Sequence, residues 1–143
     1  MTTSNTDAEL ADAVGRLRGA GFEQVSDQRG VAFDNRTIEL VRGPIRVQLD
    51  RERGRLFLLI MTPVEGTFRD FGVWASCIDR QNPDLEPRTL RDDVASFVAR
   101  LHELEILVAT VEPDTLLDCL KAAGRWRFEE RRRRGLITSP YGT

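Results

Sequence analysis

Few residues in the chain can do chemistry, and their spacing serves little of it. The single histidine, His102, stands between Leu101 and Glu103 with no serine or cysteine at helical spacing, so it has no nucleophile to activate. Cys77 and Cys119 lie 42 positions apart without a CxxC motif or a neighbouring histidine, so two small buried thiols are expected, with a disulfide or a metal pair as the alternatives. A zinc site built from these two and His102 would have no close ligand pair to nucleate it. Asp92-Asp93 follows a helix start, where negative charge suits the helix dipole, and that placement accounts for the pair without acid/base work. Glu103 with Glu105 and Glu129 with Glu130 read as solvated helix faces, and neither GxxxxGK[ST] nor GxGxxG occurs to cradle a phosphate. No catalytic, cofactor or metal residue is expected, and the chain is not expected to be an enzyme.

The arginine-rich end is the one charge feature that stands out. Residues 121–134 carry +5 and the remainder of the chain −7, so the net charge of −2 averages a basic tip and an acidic body. Arginines interleaved with Trp126 and Phe128 could contact phosphates and stack on bases. The simpler account is a helix C-terminus whose cations suit the dipole while Trp126 and Phe128 pack inward. An acidic body with a basic tip fits poorly with nucleic acid. It suits self-association into a homodimer, or a protein partner with complementary patches.

These residues are carried by 143 positions, 41% hydrophobic and 31% charged, enough for one domain with a real core that needs neither disulfide nor metal to hold it. Twenty of the 21 basic residues are arginine, a bias that GC-rich bacterial coding sequence would produce. The N-terminal stretch lacks a basic and apolar leader, and the longest apolar runs, Leu56–Met61 and Ile106–Ala109, fall far short of the roughly 20 residues that cross a bilayer. A cytoplasmic protein away from membranes is the expectation.

Thr6 followed by Glu9 reads as a capping box, and Leu10, Ala13, Val14 and Leu17 form the apolar stripe of a helix over about 7–19, stopped by Gly19 and Gly21. Residues 22–26 and 31–33 are short candidate strands around a turn at 27–30. Residues 37–41 form a further strand, turned by Arg42-Gly43-Pro44. Ile45, Val47 and Leu49 then alternate with Arg46, Gln48 and Asp50, the mark of an antiparallel strand with one wet face. Arg51–Gly54 is a hairpin loop, and Leu56–Met61, apolar on both parities, should be a strand covered on both faces. Asp70 can cap a short helix carrying Phe71, Trp74, Ala75 and Ile78, and the prolines at 83 and 87 stiffen the loop after it. One long helix is expected over about 90–109 and a last one from Pro113 to the stop at Gly135. The whole is a single α+β domain, 1–135, of N-terminal helix, antiparallel meander of three to five strands and C-terminal helices, with 136–143 as a flexible tail.

The run Val47-Gln48-Leu49-Asp50-Arg51-Glu52-Arg53-Gly54, strand into charged glycine turn into apolar strand, is similar to what several families of immunity proteins for polymorphic or contact-dependent toxins show. The helix-and-three-strand opening is also similar to that of dimeric secretion chaperones. The first resemblance implies a non-catalytic protein-binding domain that occludes a toxin by burying roughly 800 Å² on each side. Its expected contacts are Asp50, Glu52, Asp70, Trp74, Arg131 and Arg132, chosen as exposed anchors at strand ends, the short helix and the basic tip; a buried Trp74 would leave this list. The alternative is a small ligand-binding or enzymatic α+β domain, which requires a cavity between Leu56–Met61 and the helices lined by polar groups around His102 or the arginines.

Overall fold

The structure is a computed structural model describing residues 5–31 and 34–136. In chain order the elements are α1 (Asn5–Gly19), β1 (Glu23–Arg29), β2 (Arg36–Arg42), β3 (Ile45–Glu52), β4 (Arg55–Met61), β5 (Arg69–Asp70), α2 (Phe71–Asp79), α3 (Leu90–Ala99), α4 (Leu101–Thr110) and α5 (Pro113–Arg133). The five strands pair antiparallel with their sequence neighbours, and the later helices pack after the sheet, so the α+β architecture is the one the residue pattern predicts. Among the described residues no helix is long and apolar enough to cross a membrane.

Register follows from the alternating strands. Leu40, Val47 and Ile60 stand in one cross-strand row and Ile38, Leu49 and Leu58 in the next, all on the face that meets the helices. Leu10, Ala13 and Leu17 of α1 join that core, as do Phe71, Val73 and Trp74 of α2 and Val94 and Phe97 of α3. Phe97 is the ring at the centre, tilted on Phe22 and edge-on to Phe71. Gly43 and Gly54 take positive φ in the two tight turns on either side of β3. Leu58, Leu59 and Ile60 are all buried, as expected of a strand covered on both faces.

Several boundaries differ from expectation. β1 is one strand through the turn expected at 27–30, because Arg36 pairs with Asp27 across the ladder and extends it to Arg29. The strand expected at 31–33 lies mostly outside the described residues, and so does the tail beyond Leu136. α1 begins at Asn5, which puts Thr6 inside the helix instead of at its cap. Its hydroxyl accepts from Arg51, whose guanidinium, 2% exposed, ends the apolar row of β3 and also meets Asp7. The helix expected at 90–109 breaks at Arg100 into α3 and α4. There the backbone turns to φ −110°, ψ 11°, and the side chain is clamped on Asp79 of α2. The helical start expected at Thr89 is present, its hydroxyl accepting from the Asp92 amide at 3.1 Å. Thr89→Ala should therefore lower stability by about 1 kcal/mol in urea unfolding, and an unchanged midpoint would show the cap to be idle.

Candidate functional site

The apolar stripe of α5 runs Leu116, Leu120, Gly124, and then continues at the same spacing through Arg127 and Arg131. The last two turns therefore aim arginines, not hydrophobes, at the interior. Arg127 is 5% exposed and Arg131 8%. Trp126 and Phe128, expected to pack inward, are only half-buried, because they sit to either side of that line. Both arginines line a cleft of about 320 Å³ bounded by one side of α2 from Phe71 to Asp79, one side of α3 from Asp93 to its end at Arg100, the start of β4 and the 81–88 loop.

Each wall is held by a specific contact. Asp70 caps α2, accepting from the Gly72 amide at 2.8 Å, and the same oxygen accepts from Arg127 at 3.2 Å. Gly72 makes this possible, since a Cβ there would lie 2.7 Å from the Arg127 guanidinium and push it off Asp70. Arg131 donates through Nε to the carbonyl of Leu85 at 2.9 Å, tying the 81–88 loop to α5. Its two terminal nitrogens have no hydrogen-bond partner, and no carboxylate stands within 4 Å of it, among the described residues. Burial, then the charge of Arg127, lowers its pKa below the usual arginine value. Arg100 and Asp79 close one end of the cleft, and Arg55 covers the Phe57 ring at the other, 5.1 Å from its centroid.

Asp93 is the titratable group of the site. Burial, then the neighbouring Asp70, pushes its carboxyl up to about 7, against the pull of Arg88 at 3.3 Å. Dipole complementation at a helix start does not account for a carboxylate in such a setting, so the dipole reading of Asp92-Asp93 suffices for Asp92 alone, which is exposed.

The structure brings two of the six sequence-derived contact residues together, Asp70 and Arg131, both in the cleft. Trp74 is 0% exposed and donates through Nε1 to the Ile60 carbonyl, so it is a core residue and leaves the set of exposed anchors. Asp50, 6% exposed, accepts both of its bonds to Gln48, and the burial of β3's end takes it off the surface too. Glu52 is half-buried opposite Arg55 in the β3–β4 register, and Arg132 is exposed on the far side of α5. His102 is exposed and outside the cleft. Cys77 and Cys119, expected as separate thiols, are bonded to each other across α2 and α5, because the two helices pack with the sulfurs facing. Among the described residues no group of three His, Cys, Asp or Glu stands in metal-holding geometry.

Sequence reasoning assigned Asp93 to the helix dipole and Arg127 to the basic tip, and it did not foresee the role of Gly72. The signal present was the uninterrupted i, i+4, i+7 spacing from Leu120 through Gly124, Arg127 and Arg131, which a dipole account of the basic tip overlooks. No protein family, curated protein or solved structure matches the chain, and an α+β fold by itself assigns no activity.

Proposed function

We propose that the protein is a non-catalytic binding domain and that the cleft over Arg127 and Arg131 is its binding site, taking the anionic group of a ligand. The observation that carries this reading is Arg131, a buried guanidinium lining the cleft with two unpartnered terminal nitrogens and, among the described residues, no carboxylate within 4 Å. A buried charge left unpaired is costly, and a planar pair of N–H donors directed into a cleft is the arrangement that carboxylates and phosphates satisfy bidentately. A concave site with converging arginines is also what the ligand-binding alternative required of the fold.

The immunity-protein and secretion-chaperone readings stand second. Two of the contacts that the immunity-protein reading needed on an exposed partner surface, Asp50 and Trp74, are buried, whereas Asp70 and Arg131 both line the cleft. A bacterial, cytoplasmic setting belongs to the same proposal, with the Cys77–Cys119 bond as the observation against it, since such bonds seldom persist in a reducing compartment.

Arg131→Met keeps the stem and removes the donors. Titration of the wild-type protein with acetate and with inorganic phosphate at low ionic strength should give saturable binding that weakens with salt. The variant should lose at least tenfold in affinity while unfolding at the same or a higher urea concentration. Equal affinity in the two proteins would remove the cleft as the anion site.

A further inference from the structure

Resting on that reading of the cleft, we infer that the ligand is a small zwitterion of the amino-acid type, carrying a carboxylate and an ammonium group a few bonds apart. The lining holds five arginines and five carboxylates. Most are consumed within the wall: Arg127 pairs with Asp70, Arg88 with Asp93 and Arg100 with Asp79, while Arg55 lies on Phe57. Among the described residues this leaves one buried cation without an ion pair, Arg131, which feels Asp70 only from beyond 4 Å, and two exposed rim carboxylates without an ion pair, Asp84 and Glu86.

The two sets are tied to one another. Leu85, between the acids, is the residue whose carbonyl Arg131 holds at 2.9 Å. Pro83, buried, and Pro87 bracket the segment and fix φ at both ends, so the acidic pair cannot swing far from Arg131. A guanidinium under an acidic rim is a poor receptor for a dianion such as phosphate, because the rim acids Asp84 and Glu86 and the floor acid Asp70 oppose it and the lining holds as many carboxyl groups as arginines. It suits a molecule whose carboxylate reaches the Arg131 donors while its ammonium stays near Asp84 and Glu86. The volume of about 320 Å³ sits at the small end of ligand sites, enough for a single amino acid and its side chain.

Ligand-observed NMR followed by calorimetry tests this, using the free protein amino acids, the N-acetyl and amide derivatives of whichever binds, and inorganic phosphate. The expected result is a free amino acid that binds at least tenfold more tightly than either single-charge derivative and than phosphate. The double variant Asp84→Asn, Glu86→Gln should lose that preference, binding the amino acid no better than its N-acetyl form, with the affinity for the N-acetyl form unchanged. Phosphate binding that exceeds every amino acid and depends on Arg131 would overturn the zwitterion while leaving the anion cleft standing. An amino acid that binds the double variant as well as wild type would overturn it too. Binding of none of these probes would end both readings.

Discussion

Replacing Asp93 by Asn should stabilise the protein by roughly 3 kcal/mol at pH 8 and change it little at pH 4.5. The wild-type carboxyl titrates near 7 in the folded protein and near 3.8 in the unfolded chain. Between those values the folded state holds a proton that the unfolded state has released, so stability falls as pH rises and the full penalty is present above pH 7. At about 1.4 kcal/mol per pH unit the penalty is on the order of 4 kcal/mol. The value near 7 already contains the pull of Arg88, and screening by solvent at a carboxyl that is 21% exposed brings the expected gain to roughly 3 kcal/mol. Asn keeps the shape and cannot ionise. Urea unfolding of both proteins at pH 4.5 and pH 8 is the measurement, and a variant less stable than wild type at pH 8 would show that the carboxylate is needed by the fold. A carboxylate retained at that expense, beside a cleft, is the pattern of a group kept for binding.

Reduction of the Cys77–Cys119 bond should lower stability by about 4 kcal/mol. The bond closes a loop with a sequence separation of 42 residues, and the loop-entropy account of such a closure gives a loss of that order when it is cut. Cys119 is exposed on α5, so a soluble thiol or phosphine reductant can reach it without prior unfolding. Urea unfolding with and without reductant, with thiols counted to confirm complete reduction, gives the difference directly, and Cys119→Ser should reproduce the reduced value. A midpoint indifferent to reduction would mean that the α2–α5 packing stands without the bond. The same two helices supply Gly72, Ser76, Arg127 and Arg131 to the cleft. Reduction should therefore also weaken the binding of whichever anion the oxidised protein takes.

Much of the architecture was legible because it is local. Val47 and Leu49 alternate with polar neighbours and therefore declare which face of β3 is buried, and the stripe of Leu10, Ala13 and Leu17 does the same for α1. Where the same logic failed, a distant partner intervened. Thr6 has the chemistry of a cap, yet Arg51, 45 residues on, takes its hydroxyl into a different bond. Residues 90–109 carry one continuous helical stripe, and the break at Arg100 comes with a clamp on Asp79, 21 positions earlier.

The candidate site was less legible still. Arg127 finds Asp70 across 57 positions and Arg131 finds Leu85 across 46, and no periodicity encodes such pairings. The sequence by itself determined the order of helix, meander and helices and most of the buried faces, because side-chain direction repeats with the period of the element. Only the tertiary structure decided that two arginines of the basic tip lie inside, that Asp93 titrates near neutrality and that Cys77 meets Cys119. Desolvation and charge pairing belong to the neighbours a residue acquires, and those neighbours come from other elements of the fold.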